Sequence, residues 1–167
     1  GLLGFGVVGG GVWELAQENR ALNVKKVLVR REAPSLGKAA VQDVEAILRD
    51  TEIDTVVEVL GGLHPAYEWI CRALAAGKDV VTANKAVISA YYRELTALAH
   101  ENGAALRCTA AVGGGIPWLV NLQRCRRVDT VTEVGGIMNG TTNFIMDAMA
   151  RQGADFPAVL QRAQELG

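Results

Sequence analysis

Gly1-Leu2-Leu3-Gly4-Phe5-Gly6-Val7-Val8-Gly9 opens the chain, and the spacing of its glycines decides how the rest is read. Gly4-x-Gly6-x-x-Gly9 follows an apolar pair and leads into a helical pattern through about Arg20. In a strand–turn–helix of this kind the first glycine permits the tight turn and the second lets backbone approach a pyrophosphate. The third lets the helix pack closely on the strand, with the helix N-terminus facing the phosphates. Taken alone, the same spacing also suits any tight turn between a strand and a helix. The next apolar, β-branched run, residues 24–29, falls where a second strand closes a βαβ unit of roughly 30 residues.

Working outward, the alternation continues. Residues 41–49 place Val41, Val44, Ile47 and Leu48 at helical spacing, which predicts a helix. Asp54-Thr55-Val56-Val57-Glu58-Val59-Leu60 reads as a third strand closed by Gly61-Gly62. Pro65 opens a helix where its missing N–H is harmless, and Gly77 ends it. Asp79-Val80-Val81-Thr82 is a fourth strand, residues 86–102 a helix capped by Gly103, and residues 105–109 a fifth strand. Strands separated by helical patterns imply right-handed crossovers and a parallel sheet. The expected fold is an α/β, Rossmann-like doubly wound domain over residues 1–112. After Gly113-Gly114-Gly115-Ile116-Pro117 the period changes. Residues 128–138 alternate as a long strand, with Val128, Thr130, Thr132 and Val134 on one face, and a helix follows Asn139-Gly140. Residues 152–167 read as one further helix. Residues 113–167 are therefore expected to begin an α+β domain. With so little chain ahead of Gly4, where a strand averages about five residues, the sequence is read as part of a longer protein.

Composition narrows the class. Half the 167 residues are hydrophobic, and the net charge is −1, which leaves no electrostatic footprint for nucleic acid or an anionic membrane. No apolar run reaches the roughly 18 to 20 residues of a membrane span. The cysteines, Cys71, Cys108 and Cys125, are odd in number and far apart, unlike a disulfide framework or a zinc site. A cytoplasmic setting is expected. His64 and His100 have no ligand-type partner at metal-binding spacing, and no Ser-His-Asp or Cys-His arrangement assembles. Trp13, Trp69 and Trp118 read as helical packing residues.

Ligands of parallel sheets bind at the carboxyl ends of the strands, so the residues there are the candidates. After strand two come Arg30-Arg31, where a carboxylate would grip a ribose 2′-hydroxyl. Two guanidiniums there suit a 2′-phosphate instead, or are solvated surface arginines. NADP is thereby favoured over NAD, and Glu32 leaves room for both. After strand three, Leu60-Gly61-Gly62 lets a nicotinamide lie against backbone. After strand four, Lys85 either faces the cleft, to orient a hydroxyl or carbonyl, or is solvated at a helix start. After strand five, residues 111–116 form either a hinge or a run of carbonyls fit for a monovalent cation. In Asn139-Gly140-Thr141-Thr142-Asn143, Thr141 or Thr142 serves as N-cap, and the exposed N–H groups suit a substrate carboxylate.

Four stretches together resemble the homoserine dehydrogenase family: residues 1–9, Val81-Thr82-Ala83-Asn84-Lys85-Ala86, Ala111-Val112-Gly113-Gly114-Gly115-Ile116-Pro117, and Ile137-Met138-Asn139-Gly140-Thr141-Thr142-Asn143-Phe144. The likeness runs the whole chain in order and spacing, and the last three motifs are more specific than the glycine loop. It implies NAD(P)-dependent interconversion of L-homoserine and L-aspartate 4-semialdehyde, on the route to threonine, isoleucine and methionine. It further implies that Phe5, Val7 and Val8 contact the cofactor with Gly4, Gly6 and Gly9, and that Arg30 lies near the adenosine phosphate. Leu60 and Gly61 would lie beside the nicotinamide, and Lys85 would touch cofactor and reacting centre. Asn139, Gly140 and Thr141 would be placed at the substrate. Backbone oxygens of Thr109, Val112, Gly114 and Ile116 match the family's sodium site; the family usually has Glu where Thr109 stands, which weakens that match. Gly167 matches the glycine that begins the family's substrate-binding segment and is counted with the cofactor contacts. The family's following segment holds the carboxylates for the homoserine amine and a proton-moving lysine. Those residues are not among these 167, so this stretch alone is expected to bind NADP(H) weakly and not to turn over homoserine. The resemblance also implies a homodimer. Two other readings stand beside it: a related enzyme such as aspartate dehydrogenase, and a dinucleotide-binding module without catalysis.

Overall fold

The structure, a computed structural model, describes residues 1–166. Two compact units divide the chain, Gly1–Leu119 and the stretch from Val120 onward. The first unit is built on six parallel strands: β1 (Leu2–Leu3), β2 (Val27–Leu28), β3 (Ala40–Val41), β4 (Thr55–Glu58), β5 (Asp79–Thr82) and β6 (Leu106–Arg107). Their spatial order is β3-β2-β1-β4-β5-β6. The chain therefore winds outward from β1 in one direction and, after β3, returns to β4 on the other side. This reversal is the topological switch of a doubly wound sheet. The expected fold class of the first domain is what the structure shows.

β1 is the central strand and is buried on both faces, as both its leucines are fully inaccessible. Leu3 packs with Leu28, Val56 and Val80 against helices α3 (Ala66–Ala75) and α4 (Lys85–Glu101), through Ile70, Leu74 and Leu95. Leu2 belongs to the opposite layer with Val27 and Val29, covered by Val12 and Trp13 of α1 (Val7–Glu18). Parallel strands covered on both faces read as continuous apolar runs because neither face meets water. Burying each such leucine or isoleucine contributes about 1.5–3 kcal/mol.

One segment of this unit departs from the periodicity. Ala40–Val41 is a strand, paired with β2 in the register Val27↔Ala40 and Leu28↔Val41. The helix predicted over 41–49 shrinks to α2 (Glu45–Leu48), entered through a turn in which Asp43 Oδ1 accepts the Glu45 N–H at 2.9 Å. Val44, Ile47 and Leu48 still point inward. The apolar spacing holds, but the open edge of β2 captures Val41 from the start of the predicted helix together with Ala40 before it, and pairing outweighs local propensity there.

The second unit is helical among the described residues. It contains most of α5 (Trp118–Cys125), then α6 (Gly140–Gln152) and α7 (Phe156–Leu166). Ile145 and Ala148 of α6 pack against Val159 and Ala163 of α7. The helix predicted from 152 to 167 is thus interrupted: Gly153, at φ 63°, ends α6, and Pro157 occupies the first turn of α7, where it forfeits no bond. Residues 128–138, predicted as a strand, have no regular structure, and Val128 and Ile137 are more than 80% exposed. Alternation marks a strand only where a neighbour pairs its N–H and C=O groups. No such neighbour lies among the described residues of this unit. The N-cap of α6 is Asn139 rather than Thr141 or Thr142: its Oδ1 accepts the Thr142 N–H at 2.9 Å.

Candidate active site

The glycine loop joins β1 to α1 at the carboxyl edge of the sheet. Gly4 has φ 105°, a conformation that glycine alone adopts without strain. A Cβ on Gly9 would lie 2.2 Å from the Gly4 carbonyl oxygen, so only glycine lets α1 seat against the turn. Over Gly6 a Cβ would meet nothing within 4 Å, leaving open space at the helix start. No side chain caps α1, whose first-turn N–H groups therefore point to solvent or ligand. Val7 and Val8 of that turn are exposed.

A cleft of about 610 Å³ opens beside this loop. Gly4, Phe5 and Gly6 form one wall; Arg30, Arg31 and Glu32 follow β2; Val59, Leu60 and Gly61 follow β4, with Pro65 and Trp69 beyond them. Arg30 and Arg31 are exposed and make no ion pair or hydrogen bond among the described residues. Such a cleft, with free amides at one end, two unpaired guanidiniums over one strand and bare backbone over the next, fits a phosphate-bearing dinucleotide by charge and shape.

Further along the edge, Lys85 begins α4 and is exposed. Its backbone is held by the preceding residue: the Asn84 side chain caps α4, its Oδ1 accepting the Val87 N–H at 3.2 Å. Asn84 Nδ2 donates to the Gly62 carbonyl at 2.7 Å, tying the turn after β4 to the helix after β5. Glu58, at the end of β4, stands behind both. It is fully buried and accepts from Thr82 Oγ1 at 2.5 Å, from the Leu60 N–H at 2.8 Å and from Asn84 Nδ2 at 3.4 Å. Sequence reasoning missed this carboxylate. The signal was available, since a glutamate inside Val56-Val57-Glu58-Val59-Leu60 interrupts an otherwise apolar buried run.

The loop after β6 is a short 3-10 turn, Thr109–Ala111, followed by Gly113 and Gly114 with φ of 84° and 59°. The Thr109 carbonyl accepts the Val112 N–H at 3.1 Å, and the Ile116 carbonyl accepts the Trp118 N–H at 2.7 Å. Each retains a second lone pair. Asn139, Gly140 and Thr141 stand exposed at the start of α6, in the second unit. Gly167 lies outside the described residues. His64 is an exposed turn residue whose Nδ1 contacts Glu68 Oε1 at 2.6 Å.

A doubly wound sheet whose glycine loop and cleft meet at the strand-order switch defines a dinucleotide-binding α/β protein. Residues 4–109 match the family model described as homoserine dehydrogenase, NAD binding domain, and residues 117–167 match that described as homoserine dehydrogenase. The chain belongs to the homoserine dehydrogenase family. Across its whole length it is 42% identical to a homoserine dehydrogenase of Synechocystis sp. and 38% identical to that of Bacillus subtilis, covering 41% and 42% of those proteins. The crystal structure of a homoserine dehydrogenase from Thiobacillus denitrificans superposes with a TM-score of 0.91 at 38% identity, over 99% of this chain and 42% of that one. A hyperthermophilic archaeal homoserine dehydrogenase in complex with NADPH gives a TM-score of 0.84 at 25% identity, over 99% of this chain and 60% of that one. The chain spans about two fifths of the curated relatives it matches.

Proposed function

We propose that the protein containing this chain interconverts L-homoserine and L-aspartate 4-semialdehyde with NADP(H), NAD(H) being the lesser partner. The observation that carries the reading is the carboxyl edge of the sheet, where the glycine loop, the 60–62 turn and Lys85 follow three neighbouring strands, β1, β4 and β5. The dinucleotide supplies the hydride acceptor or donor. The chain's own residues hold and orient: Gly4, Phe5, Gly6, Val7, Val8 and Gly9 at the pyrophosphate, Arg30 and Arg31 at the adenosine phosphate, and Leu60 and Gly61 at the nicotinamide. Lys85 is assigned to the reacting centre, where an ammonium orients the substrate oxygen. The exposed amides of Asn139, Gly140 and Thr141 are assigned to the substrate carboxylate. Carbonyls of Thr109, Val112, Gly114 and Ile116 are assigned to a sodium ion, a hard cation that takes oxygen ligands. The full-length protein is read as a homodimer.

The test is a substrate panel on the full-length protein, following nicotinamide absorbance. NADP⁺-dependent oxidation of L-homoserine, with none of L-aspartate, supports the reading. Oxidation of aspartate, or dinucleotide binding without turnover, overturns it in favour of an aspartate dehydrogenase or a non-catalytic module.

A further inference from the structure

Glu58 is the one acidic side chain that is fully buried among the described residues, and it makes no ion pair there. Its surroundings are neutral donors: one hydroxyl, one backbone N–H and one amide. Thr82 and Asn84, which supply two of them, are themselves 0% and 5% exposed. The hydroxyl of Thr82 accepts the Asn84 N–H at 3.0 Å while it donates to Glu58. An ionised carboxylate only accepts, and all three contacts can donate to it. Taking a carboxylate out of water without a cation costs several kcal/mol, and the fold meets that cost at the ends of β4 and β5, where Glu58 and Thr82 are register partners. In a doubly wound fold the adenosine lies over β2 and the nicotinamide half crosses to the β4 side of the switch point. The buried charge therefore lies under the turn that, on the function proposed above, receives the nicotinamide.

We propose that Glu58 is a positioning residue with an electrostatic effect. Its carboxylate clamps the 60–62 turn to the start of α4, and its negative charge favours the oxidised dinucleotide, whose ring is cationic, over the reduced one, whose ring is neutral. The inference rests on the dinucleotide reading and adds which redox form the site prefers and why. Opposite charges in a partly dry site attract, and the attraction vanishes when the ring is reduced.

The test measures dissociation constants of NADP⁺ and NADPH, by calorimetry, for the full-length protein and for Glu58→Gln, which keeps the side-chain size and removes the charge. The expected result is an NADP⁺ constant raised about tenfold and an NADPH constant raised less than about threefold. A purely structural role moves both constants by one factor, or neither, and either result overturns the proposal. Should Glu58→Gln fail to fold, Thr82→Val decides. It is expected to weaken NADP⁺ about fivefold and NADPH less than about twofold, with recovery in Thr82→Ser, because a donor to the Glu58 carboxylate is lost, and equal weakening of both forms overturns the proposal. Wild-type affinity in Thr82→Val, or failure of that variant to fold as well, reduces the cluster to a folding element and overturns the proposal. Wild-type protein that binds neither dinucleotide defeats the functional reading itself, which is a separate outcome.

Discussion

The two edges of the parallel sheet are built differently. At the amino edge, charges are paired: Lys25 and Lys26 converge on Asp50, at 2.8 Å and 2.7 Å, and Lys25 also contacts Glu52. Lys78, only 7% exposed, donates to the carbonyls of Asp50 and Ile53. At the carboxyl edge the charged side chains Arg30, Arg31 and Lys85 are unpaired among the described residues, and glycine replaces side chains around the cleft. The amino edge closes its own electrostatics, whereas the carboxyl edge leaves cations and amides for a ligand to satisfy. Substitutions should accordingly separate, with binding and rate on one edge and stability on the other.

The largest effect expected is at Lys85. On the proposed function, Lys85→Ala in the full-length protein should lower kcat/KM by about 10²–10⁴, the range of a lost acid–base or orienting group. Its thermal midpoint should stay at the wild-type value, because an exposed side chain with no partner contributes within about 0.5 kcal/mol. Turnover within a few-fold of wild type would remove Lys85 from the reacting centre. Gly9→Ala breaks the comparison deliberately, because this carboxyl-edge residue is also structural. Its Cβ would meet backbone at 2.2 Å, so unfolding in urea should show a loss of about 1–3 kcal/mol together with lost dinucleotide affinity. Gly10→Ala, whose Cβ meets nothing within 4 Å, is the control and should gain a few tenths to 1 kcal/mol from helix propensity, about the glycine penalty.

Smaller changes sharpen the contrast. Arg30→Ala combined with Arg31→Ala should weaken NADPH about tenfold and leave NADH and the melting midpoint unchanged, since on the proposed function only a 2′-phosphate uses the guanidiniums. Equal loss for both coenzymes would reassign the pair to general steering. The smallest effect is expected on the amino edge. The hydrogen bond from Lys25, and then that from Lys26, hold the Asp50 carboxyl well below the usual carboxylate range. A depressed folded value means that the contribution to stability is complete above the unfolded value of about 3.9 and is lost as pH falls below it. Asp50→Asn should therefore flatten the acid limb of a stability–pH profile below about pH 4 and leave dinucleotide affinity unchanged. An unchanged acid limb would show that these half-buried lysines contribute nothing measurable, as is true of many surface pairs.

Legibility followed the range of the interactions involved. Glycine spacing, the apolar runs of β4 and β5, and the caps at Gly77 and Gly103 act over a few residues, and the structure holds each where local reasoning places it. The strand at Ala40–Val41 and the missing strand at 128–138 are two sides of one rule: a strand exists where a neighbour's N–H and C=O groups wait for it. The sequence points to Asn139 as a substrate residue, yet its capping role depends on the geometry of the helix start.

The sequence by itself determined the doubly wound class, the glycine loop and the identity of the residues at each strand end, because turn chemistry and hydrophobic period are local properties. Only the tertiary structure decided that β2 pairs on its open side with Ala40–Val41. Only it showed that Glu58, Thr82 and Asn84, separated by up to 26 residues, form one buried network. Parallel pairing brings distant strand ends into register, and which polar groups then meet is a consequence of that register rather than of spacing along the chain.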